Sequence, residues 1–252
     1  MASKDLSSAE LHLWQVVNAN PNKIARMSII QLSEFANVST ATIVRTMKKM
    51  GYSGYTSYRE HLRENGKSNL RFEVLRDADD KIKSVISKNE IEVNNTLHNL
   101  KYSTIKDSVL LTRQAKMVYI FARGLSESSA QEITIKLQLA GKYVEFFSDP
   151  NIIKTISKKV RKDSIVIFVS LNGETEELVY AAKELQKNDV ASILFTTNSK
   201  SSLAKLATLT FIGYETETNY FPDYEVRSRL PLQIMTRIFC DAYSVRAGIT
   251  QK

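Results

Sequence analysis

Cysteine is nearly missing from this chain: Cys240 is the only one in 252 residues. One thiol excludes an internal disulfide framework and fits a reducing compartment, so the cytoplasm is expected. No apolar run approaches the roughly 20 residues of a membrane span. The opening MASKDLSSAELHLW carries no apolar signal-peptide core, so no membrane partner is expected. Histidine is scarce too. His12, His61 and His98 all precede the alternating strand and helix pattern of the C-terminal half, which therefore lacks the commonest acid-base side chain. The glycine-rich G-x-G-x-x-G fingerprint is absent from the first turn, which makes dinucleotide binding a poor competitor, and a P-loop is absent as well. His, Cys and Asp spacings form no metal site, and no cofactor is expected.

What is present is enough apolar material for real cores, 43% of residues, and a formal charge of +8. The excess is compatible with a polyanionic partner. Lys23, Arg26, Arg45, Lys48, Lys49, Arg59, Arg63 and Lys67 concentrate it in the first quarter.

The stretch that organises the rest is DSIVIFVSLNGETEEL, Asp163 to Leu178. Ser164 to Val169 is a short β-branched and aromatic run, expected to be a central strand of a covered parallel sheet. Ser170, Asn172, Gly173 and Thr175 lead from it into a helix carrying Leu178, Ala181, Ala182 and Leu185 at helical spacing. The first N–H groups of a helix have no partners within it, and its dipole adds positive charge there. A phosphate fits such a place, with Gly173 allowing close approach and Ser170 and Thr175 offering hydroxyls. An ordinary turn with Thr175 as N-cap is the alternative.

Ahead of it, Ser7 to Asn18 is expected to be an amphipathic helix built on Leu11, Trp14 and Val17, with Leu13 a further candidate, and stopped before Pro21. A short helix from Ser28, a tight turn at Asn37-Val38, and a second helix capped by Ser39 and closed by Gly51 form helix-turn-helix punctuation. On the second helix Ala41, Ile43, Val44, Met47 and Met50 are expected inside. Ser39, Thr40, Thr42, Arg45, Lys48 and Lys49 are expected to meet double-stranded DNA, hydroxyls and arginine at base edges and lysines at phosphates. A helical hairpin with a solvated charged face is the alternative. A further helix is expected from Tyr55 to Asn65, then a boundary in the polar cluster Asn65 to Asn69. A long helix from Asp77 to Leu100, interrupted near Asn89, reads as a connecting or dimerising element.

Beyond it strands and helices alternate: Met117 to Ala122, Tyr143 to Phe147, Ser164 to Val169, Ala191 to Thr197 and the TLTFIGY run are the strands, and a helix from about Val226 to Val245 closes the chain. The fold class is α/β, with an all-α N-terminal domain before a three-layer domain around a mainly parallel sheet. Ligands of such sheets sit beyond the carboxyl ends of the strands, where three hydroxyl-rich turns fall here: Ala122 to Ser126, Ser170 to Thr175, and Thr196 to Ser199. Together they predict a site for a small anion.

The whole chain resembles a transcriptional regulator of the RpiR (MurR/RpiR) family. The resemblance rests on N-V-S-x-A-T-I-V-R-x-x-K-K-x-G-Y at Asn37 to Tyr52, on the G-x-S turn at Gly124 to Ser126, and on the S-x-S-G-E-T turn at Ser170 to Thr175. Thr196 to Asn198, followed by the short helix around Leu203 to Ala207, adds to it. Ala122 stands for the first glycine of the usual G-x-G-x-S turn, Asn172 for the second serine of S-x-S-G, and Thr46 for a bulky apolar residue. The resemblance implies a helix-turn-helix domain over 1–76, a helical linker over 77–106, and a SIS (sugar isomerase) domain over 107–252 that binds a sugar phosphate. It also implies a homodimer or homotetramer. Arg123, Gly124, Ser126, Ser170, Asn172, Gly173, Thr175, Thr197 and Asn198 are the expected ligand residues, although Arg123 can equally face solvent.

SIS domains also serve phosphosugar isomerases, the alternative function. Glu127 and Glu174 flank the expected site as candidate bases, but carboxylates at helix N-termini are the simpler reading. His98 could reach a partner's pocket from the connecting helix. Cys240 lies in an apolar helix and is expected in the core. No catalytic residue is therefore assigned, and a sensor rather than an enzyme is expected.

Overall fold

The computed structural model describes residues 6–68, 74–221 and 227–248. The chain divides into two compact units at Ser84/Val85, inside the expected linker.

The first unit is helical. Helix α1 (Ser8–Ala19) opens with a capping box between Ser7 and Glu10, and α2 (Pro21–Ile24) starts on the proline expected only to stop its predecessor. Helix α3 (Ile29–Ala36) opens with a second box, Ser28 with Gln31, and ends on Asn37 in the left-handed conformation at φ 49°. Helix α4 (Thr40–Lys49) opens on Ser39, whose Oγ accepts the Thr42 amide at 3.1 Å. Helix α5 (Tyr55–Ser68) runs straight through Asn65-Gly66, where a boundary was expected, and Asn69 lies outside the described residues. Leu13 rather than Leu11 joins Val17, Ile24, Leu32, Ile43, Met47, Tyr55 and Tyr58 in the core. Trp14 packs beside Tyr58, ring centroids 5.9 Å apart.

After the short α6 (Val74–Asp77), helix α7 (Asp80–Asn99) is continuous. The expected break at Asn89 does not occur, because its side-chain amide donates to the Val85 carbonyl one turn back and stays on the helix surface. Helix α8 (Tyr102–Gln114) then leads into the sheet.

The second unit alternates: β1 (Met117–Ala122), α9 (Glu127–Leu139), β2 (Tyr143–Phe147), α10 (Pro150–Ser157), β3 (Ser164–Val169), α11 (Glu176–Lys187), β4 (Ala191–Thr196), α12 (Ser202–Leu206), β5 (Leu209–Ile212) and α13 (Leu230–Ala247). Every pairing is parallel, in the order β2-β1-β3-β4-β5. Side chains alternate between two cores, as a strand's two-residue period demands. Ile165, Ile167 and Val169 face α8, α9 and α13 with Val109, Ile133 and Phe239, while Val166 and Phe168 face α10, α11 and α12 with Ile153, Leu178 and Leu203. Covered on both faces, β3 is buried throughout, which explains its unbroken apolar run. The strand order reverses between β1 and β3, so the crevice of this sheet opens at their carboxyl ends.

Candidate functional site

Two surfaces were expected to work, one on each unit. On α4 the expected face is turned by about one residue. Ser39, Thr40, Arg45 and Lys48 are exposed, but Thr42 is buried at 8% exposure and Ala41, expected inside, is outside. Thr42 and Thr46 tolerate burial because their hydroxyls are used locally. The Thr42 Oγ1 lies 2.9 Å from Ser39 Oγ, and Thr46 Oγ1 donates to the Thr42 carbonyl at 2.8 Å. The buried stripe is thus 42, 43, 46 and 47, with two threonines in positions that composition alone assigns to solvent. Lys49 also differs from its expected role, since it makes an ion pair with Glu10 at 2.8 Å. The hydrogen bond from Lys49, with that of the Ser7 amide, holds the Glu10 carboxyl at about 2.

At the sheet, Ser170 ends β3, and its Oγ accepts the Gly173 amide at 3.2 Å, which leaves its own O–H to donate. Gly173 has φ 65°, and a Cβ there would lie 2.3 Å from Ser201 Oγ, so both its backbone and its surroundings require glycine. Helix α11 then opens on Thr175 with no side-chain cap, as α9 opens on Ser126 without one. Their neighbours differ: Asp149 caps α10 and Ser201 caps α12. The start of α9 is nonetheless tied, since a 3-10 turn over Gly124–Ser126 leads into it and the Glu127 amide donates to the Gly124 carbonyl, so of the two helices that follow the switch-point strands it is α11 that presents an uncapped N-terminus.

The second and third turns are joined. Asn198 Nδ2 donates to the Asn172 carbonyl at 3.3 Å, and Thr196 Oγ1 donates to the Leu171 carbonyl at 2.7 Å. Thr197 Oγ1 lies 3.1 Å from both the Leu171 carbonyl and Glu215 Oε2, so its one proton serves one of them at a time. Asn172, Thr197 and Asn198 line an open crevice of about 520 Å³ together with Gly213, Tyr214, Glu215 and Arg227.

The first turn meets the others differently. Arg123, expected on the ligand or in solvent, is engaged within the protein: Nε donates to Glu177 Oε1 and Nη1 to the Ser148 carbonyl, both at 2.6 Å. Its pairing neutralises a carboxylate in the first turn of α11, and Lys154 does the same for Glu176 at 3.2 Å. Gly124 donates its amide to Glu127 Oε1 at 2.8 Å, and Ser126 is 3% exposed. Glu174 accepts the Ser202 amide at 2.8 Å, and that region of Ser202 holds its carboxyl below the usual range. Both flanking glutamates thus make helix-end contacts.

Four lining residues escaped the sequence: Gly213, Tyr214, Glu215 and Arg227. Glu215 lies three residues past the end of β5, so the carboxyl-end rule that selected the other turns, applied to this last strand, reaches it. Arg227 has no such signal. Its Nη1 donates to Asn172 Oδ1 at 3.4 Å, and its Nε lies 3.9 Å from Glu215 Oε1. Burial pushes the Glu215 carboxyl up. His12 and His98 lie on helix surfaces, and His61 packs against Tyr52 with ring centroids 5.3 Å apart. Cys240 is buried, and burial pushes its thiol up to about 12. Among the described residues no cluster suits a metal, and no helix is long and apolar enough to cross a membrane.

Comparison with known proteins adds to this geometry. The helix-turn-helix domain of the rpiR family matches residues 1–69, and the SIS domain matches residues 111–224. The HTH-type transcriptional regulator HexR of Pseudomonas aeruginosa is 28% identical over 210 residues, 81% of this chain and 73% of HexR. The Vibrio vulnificus NanR protein complexed with ManNAc-6P superposes with a TM-score of 0.60 at 19% identity, over 96% of this chain and 88% of NanR. The sugar isomerase domain of an RpiR transcription factor from Sphaerobacter thermophilus gives 0.60 at 18% identity, over 66% of this chain and 90% of that one.

Proposed function

Because the chain belongs to the RpiR family of transcriptional regulators, with a helix-turn-helix domain followed by a SIS domain, we propose that it controls genes of sugar metabolism by binding operator DNA through α4 and a phosphorylated sugar at the carboxyl ends of β1, β3 and β4. The observation that carries the effector site is the uncapped start of α11 beside Gly173. Ser170 and Thr175 donate hydroxyls to the phosphate there, with Ser126 and Gly124 on the β1 side. Asn172, Thr197 and Asn198 meet the sugar body. NanR is complexed with ManNAc-6P, and a phosphorylated amino sugar is one effector to try here. On DNA, Thr40, Arg45 and Lys48 with the exposed Ala41 form the reading face, and Ser39 fixes its start. A homodimer or homotetramer in the cytoplasm would present paired recognition helices to a palindromic operator.

A thermal-shift screen of sugar phosphates tests the effector site, since a ligand at 100 times its dissociation constant adds about 2.7 kcal/mol. Ser170→Ala should abolish the shift; a full response in that variant overturns the placement.

One observation favours a second reading. Glu215, with its carboxyl pushed up by burial, lies in the crevice as a general base of a phosphosugar isomerase would. Incubation of the full chain with hexose and pentose phosphates separates the two: conversion supports an isomerase, and binding without conversion supports a sensor.

A further inference from the structure

Gly213, Tyr214 and Glu215 follow β5 and form one wall of the crevice, and Thr216 comes next in the chain. A Cβ on Gly213 would lie 2.8 Å from Pro231 and 2.9 Å from Met235, so this end of the wall sits tightly on α13. The next three residues alternate. Tyr214 donates its amide to Thr96 Oγ1 at 3.0 Å, and Thr216 donates its amide and its hydroxyl to Glu92 Oε1 at 3.2 and 2.8 Å. Between them Glu215 turns the other way, to Thr197 in the crevice. Glu92 and Thr96 are both wholly buried and one turn apart on α7, and Lys88 adds an ion pair to Glu92 at 3.1 Å. A buried glutamate and threonine on a helix are costly unless their polar atoms are used, and here Thr96 Oγ1 and Glu92 Oε1 are used on the crevice wall, while Glu92 Oε2 is buried without a hydrogen-bond partner among the described residues.

We infer that Glu92 is a positioning residue that, with Thr96, fastens the crevice wall to α7, so that whatever displaces Glu215 or Arg227 displaces α7. This rests on the reading of the crevice as the effector site, and it names the element that answers to occupancy. Helix α7 is covalently continuous with the first unit, since it begins at Asp80, before the division at Ser84/Val85. A ligand in contact with Arg227 or Glu215 therefore bears on α7, the helix whose first residues, from Asp80 to Ser84, belong to the first unit.

Hydrogen exchange on the full chain tests this with no sugar present, so its failure is distinct from failure of the sugar-phosphate reading, which the thermal shifts decide. Arg227→Ala perturbs the crevice side of the wall and should change exchange over residues 92–99. That response should vanish when Glu92→Leu and Thr96→Val cut the fastening, and return with Glu92→Gln, which keeps an acceptor oxygen for Thr216. An equal response with the fastening cut, or none with it intact, overturns the inference. Should Glu92→Leu not fold, Thr96→Val alone carries the test. Loss of its hydrogen bond should speed exchange of the Tyr214 amide about five-fold and weaken the response of residues 92–99. Unchanged rates in both would overturn the inference.

Discussion

Helix α4 and helix α11 both begin in short hydroxyl-bearing residues, yet they treat their first amides in opposite ways. Ser39 turns its hydroxyl onto its own helix and satisfies the Thr42 amide, whereas Thr175 leaves its hydroxyl uncommitted to any cap. The first helix is closed at its end, so the proposed DNA contact falls to side chains on its flank. The second is open at its end, so the proposed anion contact falls to the backbone itself. The same residue types therefore point to a nucleic-acid face in one unit and to a small anion in the other, and only the destination of one hydrogen bond tells them apart.

Six substitutions test this contrast. The largest effect is expected from Gly173→Ala, which places a methyl group against Ser201 and forces a positive φ on alanine. Backbone strain alone should lower the stability of the second unit by about 1–3 kcal/mol, read by urea unfolding, and sugar-phosphate thermal shifts should disappear. Arg45→Ala comes next. It should lower operator discrimination by about 1–3 kcal/mol while leaving the fold intact, measured by mobility shift at several salt concentrations. Thr42→Ala, although one turn away, should act on stability instead, because Thr42 is buried.

The cap comparison itself is smaller and sharper. Ser39→Ala should destabilise the first unit by about 1 kcal/mol. Thr175→Ala should stay within about 0.5 kcal/mol in unfolding yet weaken effector binding. Equal losses of stability in the two variants would erase the contrast. The smallest effect concerns pH. The Glu10 carboxyl, held at about 2 by Lys49 against a usual 4.5, favours the folded state fully above 4.5 and loses that contribution as pH falls toward 2. Lys49→Met should flatten this acid loss in circular dichroism of the helices.

Local rules reached far into this chain. Strand β3, the left-handed turn at Asn37, the Ser28 and Ser39 caps and the glycine after β3 all follow from patterns within a few residues. The failures share a cause as well. Turning α4 by one residue needs two threonines whose hydroxyls are hidden by their own helix, a choice that hydropathy does not register. Placing Lys49 needs Glu10, and placing Arg123 needs Glu177, partners 39 and 54 positions away. Glu92 meets Thr216 across 124 positions, and no spacing along α7 announces it. Contacts of that range exist only once the fold has formed.

The single tryptophan offers a practical return. Trp14 sits in the helical first unit beside Tyr58, and the second unit contains no indole. Its emission is thus an optical reporter confined to the DNA-binding end of the chain. A spectral change on adding a metabolite that occupies the sheet of the second unit would record communication between the units in unlabelled protein, without any engineered fluorophore.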